Sequence, residues 1–126
     1  MRTFLEEKRF AVLATINPTG APQLTVMWYL LDGDELLFNT KRGRRKERNL
    51  QHDRRVAFVV EDGYRFVRIA GVARESGDGA AGQRDIHRLA VRYQGAASAA
   101  KAMERFGREE RVSYRIAISA VYAAGF

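Results

Sequence analysis

Phe10-Ala-Val-Leu-Ala-Thr-Ile16, closed by Asn17-Pro-Thr-Gly20 and followed by a second strand-forming stretch from Pro22 to Leu31, is the passage from which the fold is read. A continuous apolar run that ends on a Pro and Gly turn signature is a strand followed by a turn. The stretch Pro22 to Leu31, rich in Leu24, Thr25, Val26, Trp28 and Tyr29, reads as a single second strand. Asp32-Gly-Asp34 is a tight-turn signature, so the strand around Leu36-Leu-Phe38 pairs with the second strand as a hairpin. Val56-Ala-Phe-Val-Val60, Asp62-Gly63 and Tyr64 to Glu75 repeat that pattern. On the last of these strands Tyr64, Phe66, Arg68, Ala70 and Val72 share one face, and Arg65, Val67, Ile69, Gly71 and Ala73 share the other. Charge on both faces near its start predicts that part of it lines a wet cleft or an interface. Gly71 marks a bend or a close backbone approach.

Outside these hairpins, Arg2 to Arg9 reads as a short helix with Phe4 and Leu5 as its apolar contacts. Ser76 to Gly82 is a loose linker whose Asp78, like Asp32, Asp34 and Asp62, has the composition of a turn former. Beyond it Ile86, Leu89, Ala90 and Tyr93 recur at the spacing of an amphipathic helix, and Ala96 to Phe106 forms a second helix stopped by Gly95 and Gly107. Val112, Tyr114, Ile116 and Ile118 alternate with Ser113, Arg115, Ala117 and Ser119 in a final strand. The expectation is one domain over residues 1–126, mainly β in an α+β arrangement: six antiparallel strands closed into a small barrel, with short flanking helices.

The charge is concentrated between Asn39 and Arg55, where Lys41, Arg42, Arg44, Arg45, Lys46, Arg48, Arg54 and Arg55 face only Glu47 and Asp53. Gly43 is a flexible joint, and Arg44 to His52 reads as a short helix with Leu50 turned to the core. Cations crowding a helix N-terminus oppose the dipole and one another, each at a cost of about 0.2 to 1 kcal/mol. A bound anion reverses the sign of those terms together, which makes the segment a phosphate seat. A solvated basic surface is the equally weighted alternative.

Composition narrows the chemistry. The net charge of +7 and a pI near 10.2 call for an anionic partner. There is no cysteine, and His52 and His87 lie in no ligand-spaced cluster, so thiolate catalysis is excluded and a metal site is not expected. No Walker loop and no Gly-x-Gly-x-x-Gly occur. The acids sit in turns or, like Glu6, Glu7, Glu109 and Glu110, read as solvated surface, and no Ser/His/Asp arrangement stands out. A bound cofactor is therefore expected to carry any reaction. No leader or membrane-spanning run is read in the sequence, which points to a cytoplasmic protein without a membrane partner.

Phe10 to Gln23, Trp28-Tyr-Leu-Leu-Asp-Gly33, Thr40 with Arg44-Arg-Lys-Glu-Arg-Asn-Leu50, and Arg54-Arg-Val-Ala57 together resemble the pyridoxamine 5'-phosphate oxidase-like FMN-binding split β-barrel family, and within it the coenzyme F420-dependent branch. Leu89 to Gly95 and Arg111 to Ile116 are similar to the family's late helix and last strand. The resemblance implies a homodimer with flavin or deazaflavin sites between the subunits. Arg44 and Lys46 match the family's cofactor-phosphate contacts, and Asn39 and Thr40 match positions beside the phosphate and ring. Gln23 and the residues Val26, Met27 and Trp28 match the strand that faces the ring, while Tyr64 and Phe66 match positions contributed by the partner subunit. Tyr64 and Phe66 read equally as barrel core, and Trp28 as a packing residue. Val121 to Phe126 lacks the Arg- and Trp-bearing segment of the pyridoxamine phosphate oxidases proper, which argues against that activity.

The reading that follows is a coenzyme F420-dependent oxidoreductase acting on a small organic substrate, with an FMN-binding flavoprotein as the alternative. A non-catalytic anion or nucleic-acid-binding module comes last, because the aromatic nearest the cations, Phe38, belongs to the core. No catalytic side chain is identified.

Overall fold

A computed structural model describes residues 1–77, 79–118 and 120–126; the turn role expected of Asp78 and the place of Ser119 on the last strand lie outside the described residues. The elements run α1 (Arg2–Glu6), β1 (Ala11–Ile16), β2 (Pro22–Met27), β3 (Leu30–Asp32), β4 (Glu35–Lys41), α2 (Arg45–His52), β5 (Arg55–Glu61), β6 (Phe66–Ser76), α3 (Gly79–Gln94), α4 (Ala96–Phe106), β7 (Arg111–Ala117) and β8 (Ala120–Ala124). The sheet order is β2-β1-β5-β6-β7-β4-β3, with β8 also on β6, and every pairing is antiparallel.

The long strand β6 turns this sheet into a half-barrel. Residues Phe66 to Val72 pair with β5, and Ala73 to Ser76 pair with β7. Gly71 stands at the crossing, where a Cβ would meet Ile116 Cγ2 at 3.2 Å, so the expected close approach is present. Leu13, Phe58, Val60, Val67 and Ile69 from one half meet Leu36, Phe38, Tyr114 and Ile116 from the other, with Phe4, Leu5 and Leu50 closing the ends. Each of these large side chains contributes about 1.5 to 3 kcal/mol by leaving water. A second, smaller cluster joins Ile86, Ala90, Ala99 and Phe106 of the α3–α4 pair to Trp28, and it walls the site described below.

Eight strands form where the sequence reading gave six. The Pro22 to Leu31 run divides because Met27 is the last residue paired to β1 and Leu30 the first paired to β4. Between them the Trp28 ring stacks on Tyr93 of α3 at 5.2 Å and 6°, and Tyr29 N–H donates to the Tyr93 hydroxyl at 3.1 Å. A tertiary contact thus outweighs β propensity. The additional strand, β8, extends the sheet along β6. The linker is shorter than read, since β6 runs to Ser76 and α3 starts at Gly79. Two acids also have other duties. Asp32 accepts from Arg115 at 2.9 Å, and the Glu109 side chain, only 14% exposed, lies between Arg111 and Lys41. Among the described residues no helix is long and apolar enough to cross a membrane.

Candidate anion and cofactor site

The basic run divides into cations that are paired and cations that are not. Gly43 takes a φ of +93°, which lets the chain turn sharply from β4 into α2. Glu47, in the first turn, folds back: its buried carboxylate accepts from Gly43 N–H at 2.8 Å, Arg42 at 3.1 Å and Gln51 at 2.7 Å. Arg42 also reaches Glu75 and Glu110, and Arg55 pairs with Asp53. Arg44 and Lys46 have no carboxylate partner among the described residues. No side chain caps the helix at Arg44, so first-turn amides are left for a ligand or water.

These two cations line a cavity of about 330 Å³ together with Arg105 and Arg111. Among the described residues no carboxylate lines it. Burial, reinforced by Arg44 and Arg111, pushes the Lys46 ammonium down to about 8. Burial likewise lowers Arg111, against the Glu109 carboxylate that raises it. Both shifts have the cause that an anion removes: positive charge out of water with too few counter-charges. Thr40 adds a polar signal, because its buried hydroxyl has no hydrogen-bond partner among the described residues. Such a group is rare in a folded chain and costs about 1 to 3 kcal/mol.

The remainder of the cavity is mostly apolar: Phe10, Val26, Met27, Trp28, Ile86, Leu89, Ala102 and Phe106 line it, with Asn39 and Gln94 as the further polar residues. Trp28, stacked on Tyr93, meets Phe106 edge-on at 6.5 Å, and Tyr93 stacks on Phe10 at 5.7 Å. The result is a slot with flat walls and a positive end, suited to a planar ligand that carries a phosphate.

Of the residues singled out in the sequence, Val26, Met27, Trp28, Asn39, Thr40, Arg44 and Lys46 all line this one cavity. Gln23, Tyr64 and Phe66 do not. Gln23 lies further back on β2, Tyr64 is 80% exposed in the β5–β6 turn, and Phe66 packs against Tyr122 of β8 at 5.8 Å. Asn39 is buried and occupied: its amide donates to Gly82 O and Ser113 Oγ, and its carbonyl accepts from Arg111. Arg111, Arg105, Phe10, Gln94, Phe106 and the apolar residues of α3 and α4 were not foreseen as lining. Arg105 and Phe106 fall one helical turn from Ala102 and carried that much signal, whereas nothing local marks Arg111.

A half-barrel of antiparallel strands, with one cavity that joins apolar side chains to Arg44, Lys46, Arg105 and Arg111, defines a class by its architecture: small split β-barrel proteins. The particular family follows from comparison. The chain belongs to the pyridoxamine 5'-phosphate oxidase family, whose model matches residues 1–124. It is similar to the structure of a conserved hypothetical protein from Mycobacterium tuberculosis, with 32% identity, a TM-score of 0.83, and coverage of 98% of this chain and 81% of that one. A structure described as an F420 reductase shares 28% identity, with a TM-score of 0.77 and coverage of 96% and 94%. The heme storage protein HutZ of Vibrio cholerae, at 17% identity and a TM-score of 0.76 over 99% and 92%, shares the fold alone. No curated protein matches the chain at significant similarity.

Proposed function

We propose that this protein is a cytoplasmic, homodimeric oxidoreductase that uses coenzyme F420 to transfer hydride to or from a small organic substrate. The observation that carries the reading is the slot's positive end: Arg44, Lys46, Arg105 and Arg111 gather with no carboxylate in the lining, beside the unpartnered Thr40 hydroxyl. These residues fit a phosphate-linked deazaflavin. Arg44 would offer a forked contact, Lys46 a point charge and Thr40 a neutral hydrogen bond. When bound, the deazaflavin supplies a ring carbon that accepts or donates hydride. The chain's own work would be to hold and orient: Val26, Met27 and Trp28 would supply apolar contact to the ring system, and the α3–α4 cluster would keep water from it. The similarity to an F420 reductase supports the choice of cofactor. FMN is the second reading, since one phosphate meets Arg44, Lys46 and Thr40 equally well, but it leaves more of the cationic surface unmatched.

The test is a fluorescence titration of the cofactor-free protein with coenzyme F420 and, separately, with FMN, on the natural chain and on the Arg44→Ala/Lys46→Ala double variant. Tighter binding of the deazaflavin, weakened roughly a hundredfold by the double substitution, is the expected result for two lost charge-assisted contacts. Binding of neither cofactor overturns the reading, and preference for FMN replaces it with the second.

A further inference from the structure

Arg111 opens β7, and three contacts from α3 and β4 fix where its guanidinium sits. Gly82 brings α3 so close that a Cβ there would lie 2.0 Å from the Arg111 carbonyl oxygen, a distance only glycine permits. The Gly82 carbonyl accepts one Asn39 amide proton at 2.9 Å. Asp85, one turn further along α3 and fully buried, accepts the Ser113 hydroxyl proton at 2.7 Å.

The direction of each hydrogen bond then follows. A carboxylate only accepts and a hydroxyl has one proton, so Ser113 spends its proton on Asp85 and its oxygen accepts the other Asn39 proton, at 3.1 Å. Asn39 has only its carbonyl left, and that oxygen accepts Arg111 Nε–H at 2.9 Å. Arg88 and Arg84 flank the same Asp85 carboxylate at 3.2 and 3.3 Å, anchoring the far end. At the near end Glu109 takes Arg111 Nη1–H at 2.9 Å, while Nη2 makes no hydrogen bond among the described residues. A guanidinium that is 8% exposed and lines an acid-free cavity is thereby left with donors to give.

We propose that Arg111 is a further anion contact of this cavity, taking a phosphate or phosphodiester oxygen opposite Lys46, and that Asn39, Ser113 and Asp85 are positioning residues that hold its guanidinium there. The proposal rests on the anion-binding part of the function proposed above. It also reassigns Asn39, which acts through Arg111 and does not itself meet the ligand.

A double-mutant cycle tests it with inorganic phosphate as the probe, followed through the fluorescence of Trp28, the single tryptophan of the chain and part of the cavity wall. Arg111→Ala should weaken phosphate binding roughly tenfold, and Ser113→Ala about threefold, as the loss of one charge-assisted and one neutral contact would. In the Arg111→Ala background Ser113→Ala should change nothing further, a non-additivity that a merely structural role would not produce. Arg111→Lys repeats the cycle should the alanine variant not fold, because lysine keeps the charge but has no Nε–H for Asn39. Multiplying effects, an unchanged Kd in Ser113→Ala, or the absence of any phosphate response in the natural chain each overturn the proposal. A natural chain that binds phosphate but no deazaflavin removes the cofactor reading and leaves this one standing.

Discussion

Lys46 shows how much of the site one side chain can report. Its ammonium sits near 8 because burial removes it from water and Arg44 and Arg111 repel it. A phosphate facing it would restore the charged form, so ligand binding and protonation are linked. Below pH 8 Lys46 is already charged and its share of the affinity is fully present; as pH rises through about 8 that share is lost, until the higher value in the complex is passed. A phosphate monoester is already a dianion there, so the ligand itself does not titrate in this window. The expected profile of affinity for a phosphate-bearing ligand is flat from about pH 7 to 8 and falls above it, whereas Lys46→Arg, whose guanidinium stays charged, remains flat to pH 10. Isothermal titration at successive pH values checks this, and a fall of equal size in Lys46→Arg refutes it. Arg44 and Lys46 were legible in the sequence because they lie in one charged run whose helical phase could be read. Arg111 was not: it is brought to the same cavity by strand pairing and by the docking of α3 on Gly82, which no local pattern records.

The elements fall into those that local signals define and those that tertiary contacts define. Helix α4 runs from Ala96 to Phe106, between Gly95 with its φ of +85° and Gly107, as the stops in the sequence implied. The break between β2 and β3 was invisible, since Trp28 and Tyr29 are strong strand formers and contacts to other elements, Tyr93 and Phe106 among them, draw them out of the ladder. Helix α2 lies between these cases. Its span and the burial of Leu50 could be read, but Glu47 could not be told from a surface acid, although its carboxylate is what anchors the first turn. Removing that carboxylate strands the Gly43 N–H and one arm of Arg42, so Glu47→Ala should cost about 3 kcal/mol, seen as a lower urea midpoint with an unchanged slope. Burial alone would raise the Glu47 pKa, yet Gly43, Gln51 and Arg42 together hold it below the usual carboxylate value. Its stabilisation is therefore present at neutral pH and lost as pH falls through the folded value, so the gap between natural and variant proteins should close under acid conditions. A gap that persists after the carboxylate is protonated would assign the cost to packing.

At the scale of the whole molecule, the outward side of the sheet presents a feature that a monomer does not explain. Strand register places Leu24, Ala14, Ala57, Ala70 and Ala120 in one row across five strands, β2-β1-β5-β6-β8, and Val26, Val12, Val59, Arg68 and Tyr122 in the next. Leu24 and Val26 are each 66% exposed, Val72 62% and Tyr122 52%. Apart from Arg68, both rows are apolar, and such a face is what the proposed homodimer would cover. Because Val26 belongs both to the face and to the cavity lining, a partner lying on the face also borders the slot. Phe66 and Tyr64 lie at the β5–β6 turn end of the same sheet, outside their own chain's cavity, where the homodimer proposal has them serving the partner's site. Ala57 is the residue to change, since it stands in the middle of the five-strand row with Ala14 and Ala70 on either side. Ala57→Glu should leave the circular dichroism and melting of the folded chain nearly unaltered, convert a dimer into a monomer in sedimentation equilibrium, and weaken cofactor binding at the same time. If the natural chain sediments as a monomer at micromolar concentration, the face has another use. If the variant turns monomeric yet binds cofactor as tightly as before, the slot is complete within one chain and the partner contributes nothing to it.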